Sequence, residues 1–220
     1  MLKYPCLVLD HDDTVVQSMK TLSYPFFCYV LERFRPGKSM TLAEFVSDCH
    51  HIGFAELCRK RFQFTPEEIA SEHVLWMNYL RTNTPDPYPG ISKILEKQKS
   101  EGGLICVVSH SSVENIERDY AAHFPVKPDA IYGWDLPEDQ RKPKPFPILD
   151  IMERYHLTKE QLLVIDDMKL GWMMAAPLGV PVAYAGWGEL GVPEITEEMT
   201  NLCDFAFETP EKLYHFLFND

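Results

Sequence analysis

Short apolar runs punctuate the chain, each closing on polar or small residues: Cys6 to Asp10, Leu104 to Ser109, Ala130 to Gly133, Leu162 to Asp166, Pro181 to Ala185 and Asp204 to Phe207. Runs of this length, apolar on both faces, predict buried strands of a parallel sheet. Helical patterns fall between them. Ile91, Ile94 and Leu95 share one face ahead of Gly102-Gly103, and Ile148, Leu149, Met152 and Tyr155 share another. Alternating strand and helix implies βαβ units and an α/β fold with a Rossmann-like parallel sheet.

From about Val16 to Pro87 the alternation stops, and helix follows helix with no convincing strand. The pieces are Met19 to Phe34, closed by Arg35-Pro36-Gly37, then Leu42 to Cys49, Phe54 to Arg61 and Glu67 to Arg81. Thr65-Pro66-Glu67-Glu68 opens the last as a capped first turn, and the proline-rich stretch Thr82 to Gly90 reads as a return linker. The expected organisation is a core of residues 1–15 and 88–220 interrupted by a helical insert, 16–87. No internal repeat or low-complexity tract is visible.

Composition narrows the function. With 220 residues, 45% hydrophobic and 12% aromatic, the chain can bury a real core, which excludes disorder. Lys and Arg number 21 against 33 Asp and Glu, a formal charge of -12 with no basic run, which argues against nucleic-acid binding. The same field repels an anionic substrate, so a phosphate-bearing ligand needs local cations, a metal among them. Six cysteines without a CxxC pair point to reduced thiols. With no charged-then-apolar leader and no long apolar run, the expectation is a cytoplasmic protein without a membrane segment.

Four strand or loop ends carry the candidate chemistry. The first run leads straight into Asp10-His11-Asp12-Asp13-Thr14. Crowded carboxylates resist ionising without a nearby cation, and magnesium prefers such hard oxygens; the alternative is an acidic surface turn. The pair Asp166-Asp167 also closes an apolar run, where ligand sites of open α/β sheets lie; alternatively it starts a helix before Gly171. Ser109-His110-Ser111-Ser112 offers hydroxyls and backbone donors to an anion, or an ordinary serine N-cap. In Arg141-Lys142-Pro143-Lys144-Pro145, prolines are expected to hold the backbone extended and aim a lysine, or to form a solvated loop.

Taken in order (strand-DxD, strand-Ser, Lys-Pro-x-Pro, strand-Asp-Asp), these motifs resemble the haloacid dehalogenase-like hydrolase superfamily. The match runs from LVLDHDDTVV through PYPGISKILEKQKSEGGLICVVSHSS and KPKP to LLVIDDMKLGWMMAAPLGV. The helical insert resembles the cap domain of the phosphoglycolate phosphatase and beta-phosphoglucomutase branch. The resemblance implies Asp10 as nucleophile and Asp12 as general acid/base, with Ser109 and Lys142 holding phosphoryl oxygens. It also implies a Mg2+ ion bound by Asp10, the Asp12 backbone carbonyl and Asp167, with Asp166 in support. The implied activity is a magnesium-dependent phosphatase acting on a small-molecule phosphate ester through an aspartyl-phosphate.

Some positions depart from the family pattern. Asp13 stands where glycine is commonest, and His110, grouped with the phosphate-binding residues, stands where asparagine is frequent and has packing on the loop as its alternative. A beta-phosphoglucomutase-type mutase is the second reading, but Leu22 occupies the position where its cap histidine is expected. A non-catalytic binding protein of the same fold is a third, weakened because every motif carboxylate is present. Asp12 argues against a dehalogenase. The cap is expected to close over the site, with His50 or His51 meeting the leaving group unless they are simply surface histidines at a helix end. Trp76, Trp134, Trp172 and Trp187 read as core or interface residues. Oligomeric state is not encoded in any feature of the sequence.

Overall fold

A computed structural model describes residues 2–188 and 192–219. Two compact units divide the chain. One takes in residues 2–17, 86–188 and 196–219, the other 18–85 and 192–195.

The first unit is built on six parallel strands: β1 (Cys6–Leu9), β2 (Leu104–Val108), β3 (Ala130–Tyr132), β4 (Leu162–Asp166), β5 (Val182–Ala185) and β6 (Phe205–Phe207). Their order is β3-β2-β1-β4-β5-β6, so β1 lies between β2 and β4 and the chain winds outward from it in both directions. Such a reversal opens a crevice beyond the carboxyl ends of the central strands. Both sheet faces are buried because strand side chains alternate. Leu7, Leu9, Ile105, Val107, Leu163 and Ile165 pack with residues of helices α5 (Ile91–Ser100), α6 (Val113–His123) and α10 (Pro210–Phe218). Cys6, Val8, Cys106, Val108, Leu162 and Val164 pack on the other face with α7 (Phe146–Arg154) and α8 (Lys169–Ala175). All six apolar runs are strands, and the α/β parallel-sheet expectation holds. All six cysteines are free thiols.

The second unit carries α1 (Tyr24–Phe34), α2 (Leu42–His51), α3 (Phe54–Glu56) and α4 (Pro66–Leu80). Its core is aromatic, with Phe26, Phe27, Phe45, Phe62 and Phe64 buried. Thr41 with Glu44 and Thr65 with Glu68 form reciprocal capping boxes at the starts of α2 and α4. Two expected helices are composite. A π-helical turn, Met19–Ser23, precedes α1, where Pro25 lacks the N–H that a continuous helix would use, and a second, Leu57–Arg61, follows α3.

One packing expectation is corrected. Leu149 is 48% exposed, because the buried stripe of α7 runs through Ile148 and Ile151 and leaves position 149 turned away. Trp134 is also 48% exposed, with the Arg141 guanidinium 4.1 Å from its ring centroid. Among the described residues no helix is long and apolar enough to cross a membrane.

Ile105 sits fully buried in the sheet interior. Its truncation, Ile105→Ala, should lower unfolding free energy by about 2–5 kcal/mol, read from the denaturant midpoint at unchanged slope. A loss below about 1 kcal/mol would contradict this packing.

Candidate active site

The site grows from the end of β1. The Asp10 N–H continues the ladder by donating to the Ile165 carbonyl at 2.9 Å, which fixes the first acidic residue at the mouth of the crevice. Lys142 reaches the same place from the loop ahead of α7. Its buried Nζ donates to Asp10 Oδ1 at 2.7 Å and to Asp166 Oδ2 at 2.8 Å. Asp10, Asp166 and Asp167, all buried, bring carboxylate oxygens within 4.8 Å of one another. The loop that delivers Lys142 is not extended. Lys144 N–H donates to the Arg141 carbonyl at 2.7 Å around a cis Lys142–Pro143 bond, so the segment is a tight turn.

Charge dominates this cluster. Burial raises the Asp10 carboxyl to about 7, with Lys142 pulling it back and Asp166 and Asp12 pushing it further up. Asp167 is raised well above its ordinary value, first by burial and then by the charges of Asp10, Asp166 and Asp13. Burial disfavours the Lys142 ammonium, but Asp10 and Asp166 outweigh it and hold the lysine charged. Three buried carboxyl groups face one ammonium, so ionising all of them leaves negative charge that this lysine alone does not balance.

Asp12 stands beside this cluster and is held separately. Its Oδ2 accepts from Ser109 Oγ at 3.2 Å and from Ser111 Oγ at 2.7 Å, while Ser109 Oγ accepts from the Ser111 N–H at 3.1 Å. Ser109 therefore touches Asp12, and Ser111 is a partner that sequence reasoning missed. The signal was present as two serines two positions apart after a strand. His110 Nε2 lies 2.7 Å from the Lys142 carbonyl, and its ring meets Trp134 edge-on at 5.9 Å, so it packs across the loop. Local desolvation and then the Lys142 charge hold its pKa below the ordinary value, although part of the ring surface is exposed.

Asp13 has φ 54°, the left-handed region that glycine adopts most easily and aspartate tolerates. That backbone is stabilised by the Asp13 N–H donating to the Val16 carbonyl at 2.7 Å and by Tyr88 OH donating to Asp13 Oδ1 at 3.2 Å. Trp187 Nε1 donates to the Thr14 carbonyl at 3.0 Å, and Thr14 Oγ1 donates to Asp167 Oδ1 at 3.4 Å. Asp166 spends both oxygens, one on Lys142 and the other on the Met168 N–H at 2.9 Å.

Two glycines make room for these contacts. A Cβ on Gly171 would meet Asp166 Oδ2 at 2.2 Å, and one on Gly188 would meet the Asp13 carbonyl oxygen at 2.3 Å. Neither was distinguishable in the sequence from a turn glycine. The structure thus brings Asp10, Asp12, Ser109, His110, Lys142, Asp166 and Asp167 together in the first unit. His50 and His51 end α2 in the second unit, their rings edge-on at 5.0 Å.

A family model described as haloacid dehalogenase-like hydrolase matches residues 7–185. The chain belongs to the haloacid dehalogenase-like hydrolase family. It is similar to the phosphoglycolate phosphatase of Aquifex aeolicus (strain VF5), with 24% identity over 97% of this chain and 96% of the relative. Among solved structures, it resembles a protein of Bacteroides fragilis described as a haloacid dehalogenase-like hydrolase. That match has 19% identity and TM-score 0.79, over 96% of this chain and 100% of the other. It also resembles a variant of CbbY from Rhodobacter sphaeroides in complex with xylulose-(1,5)bisphosphate. There the identity is 17% and the TM-score 0.70, over 97% of this chain and 96% of the other. As a member of a hydrolase family, the protein is an enzyme.

The close approach at Gly188 gives a direct test of this geometry. Gly188→Ala should fold but lose about 1–3 kcal/mol of stability, read by denaturant titration, because the Asp13 backbone must move. Wild-type stability would show that the loop accommodates a methyl group without cost.

Proposed function

We propose that the protein is a magnesium-dependent phosphatase that hydrolyses a small-molecule phosphate monoester through an aspartyl-phosphate on Asp10. The observation that carries this reading is the buried Lys142 bridge between Asp10 and Asp166, beside Asp167. It fixes a carboxylate at a strand end and keeps one cation next to it. Among the described residues Asp10 Oδ2 accepts no hydrogen bond, which suits it to attack.

The donor set fits magnesium. The oxygens are hard, clustered within 4.8 Å and carry excess negative charge that a divalent cation offsets. Asp10, the Asp12 backbone carbonyl and Asp167 would hold the ion. Asp166, whose oxygens are engaged with Lys142 and Met168, supports the lysine and the loop. Bound there, magnesium supplies positive charge that lowers the cost of bringing an anionic ester to an anionic nucleophile.

In this reading Asp10 Oδ2 forms a bond to phosphorus as the ester P–O bond breaks, and Asp12 gives its proton to the departing alkoxide oxygen. Lys142 neutralises charge on the phosphoryl group. Water then attacks the acyl phosphate and Asp12 takes a proton from it. The Asp10–phosphorus bond breaks, releasing inorganic phosphate and restoring both carboxyl groups. Ser109 and Ser111 orient Asp12, and Ser109 would also hold a phosphoryl oxygen.

Phosphoglycolate is the first ester to try, given the Aquifex aeolicus relative's name. Purified protein with magnesium should release phosphate from a panel of small esters that includes it, and silence across the panel would defeat the proposal. Asp10→Asn should cut phosphate release by at least about a thousandfold with an intact fold by circular dichroism, since an amide neither attacks nor balances the metal. Asp12→Asn should slow turnover about a hundredfold or more while magnesium affinity, measured calorimetrically, changes far less than in Asp167→Asn.

Stability should also depend on pH in a magnesium-sensitive way. Asp10 is raised from 3.8 to about 7, so the folded protein holds a proton that the unfolded chain releases between those values. Its contribution is complete below about pH 4 and is lost as pH rises through about 7, and Asp167 acts in the same direction. Magnesium should therefore raise the melting temperature more at pH 8 than at pH 5.5. An equal increment at both values would contradict the cluster's role as ligand.

A further inference from the structure

Between the two site acids lies a residue to which the chemistry above gives no role. Side chains alternate along β1 and its continuation, so Asp10 and Asp12 share one side and His11 faces the other. His11 is 1% exposed and its ring stacks on Tyr120 of α6, centroids 6.0 Å apart, in the cluster that also buries Leu7 and Leu9. Its Nε2 lies 3.1 Å from Asp119 Oδ2. Asp119, 3% exposed, accepts on its other oxygen from Arg118 Nε at 2.9 Å and Nη2 at 2.7 Å. His11 Nδ1 is buried and has no partner among the described residues, so the Asp119 contact is the ring's polar anchor.

A buried imidazole in an apolar layer is costly, and an apolar side chain would fill the same space with no such cost. What the imidazole adds is direction. The His11 carbonyl accepts from the N–H groups of Val15 and Val16 at 2.9 and 3.1 Å, so the whole turn from 11 to 16 hangs on the backbone at this residue. Asp12 has its carboxylate on Ser109 and Ser111, just ahead of α6, while His11 reaches Asp119 further along the same helix. The acid-bearing turn is therefore tied to the segment after β2 at two places, on opposite sides of the chain.

We propose that His11, held by Asp119 and Arg118, is a positioning residue that sets the backbone direction of Asp12 for proton transfer to the leaving group. The proposal rests on the reading of Asp12 as the proton donor, and its test has one arm that does not depend on that reading. A loosened turn misplaces Asp12 while Asp10 stays fixed by the sheet and by Lys142. The penalty should then fall on esters whose leaving oxygen needs a proton and spare those whose leaving group departs as a stable anion.

The test uses full-length protein with magnesium and compares kcat/KM for phosphoglycolate, an alkyl ester, with that for p-nitrophenyl phosphate. This parameter reports phosphoryl transfer to Asp10 and not the shared hydrolysis step. His11→Leu should lose about tenfold or more on the alkyl ester and at most about threefold on the aryl ester, the size expected for impaired general-acid catalysis. His11→Gln keeps an amide N–H able to reach Asp119 and should restore the alkyl-ester rate. Equal losses on both esters, or no rescue by glutamine, would make His11 merely structural and overturn the proposal. Independently of turnover, hydrogen exchange at Val15 and Val16 should quicken in His11→Leu and remain slow in His11→Gln. Unchanged exchange in the leucine variant overturns the proposal whichever esters the enzyme accepts. Should the wild type turn over neither ester, exchange at Val15 and Val16 alone decides, faster in His11→Leu supporting the tether and unchanged overturning it. Should His11→Leu fail to fold, the double variant His11→Leu/Asp119→Leu removes both buried polar groups, and the same two readouts apply to it.

Discussion

The Lys142 ammonium, buried between Asp10 and Asp166, is the interaction on which the rest of this site depends. Without it, Asp10, Asp166 and Asp167 would bring carboxylate oxygens within 4.8 Å of one another with no cation between them, in a region where burial already raises the pKa of Asp10 and Asp167. Breaking a buried ion pair by removing one partner costs about 3–5 kcal/mol, and here one lysine serves two partners. A buried pair of this kind adds little net stability, and in the proposed mechanism it serves the reaction instead. A fold selected for stability alone would fill the strand ends with apolar residues.

The fold meets that electrostatic demand through topology. β1 sits where the winding of the sheet reverses, so the ends of β1, β2 and β4 open into one crevice, and residues distant in sequence meet there. Alternation along the strands then sorts the side chains. Asp10 and Asp166 face the layer of α7 and α8, from which Lys142 arrives and where Gly171 leaves room for the carboxylate. His11 faces the layer of α5, α6 and α10. One strand end consequently carries the Asp10–Lys142 pair on one side and the His11–Asp119 pair on the other.

Much of this was legible in the sequence because it is written in periodicity and local spacing. Six apolar runs closing on polar residues gave the strands, and the order of Asp10, Ser109, Lys142 and Asp167 along those ends located the candidate site. Features that depend on close approach in space were not legible. Gly171 and Gly188 look like any loop glycine until the oxygen each would strike is visible, and Ser111 looks like the serines beside it. A proline-rich run favours an extended backbone, but the hydrogen bond from the Lys144 N–H to the Arg141 carbonyl closes a turn over Lys142 and Pro143. Leu149 departs from its expected face, and Trp134 lies outside the core, for a related reason. Helical phase predicts a stripe but not its edges, and a tryptophan stacked under a guanidinium is stable while half exposed.

In the proposed mechanism Asp10 becomes covalently phosphorylated, and the acyl phosphate is open to chemical trapping. Enzyme turning over a phosphate ester with magnesium is quenched with borohydride, which reduces an acyl phosphate to an alcohol, and then digested for mass spectrometry. The prediction is homoserine at position 10, formed only when ester and magnesium are both present. Phosphate release with aspartate unmodified at position 10, or with the reduced residue at another carboxylate, would contradict it.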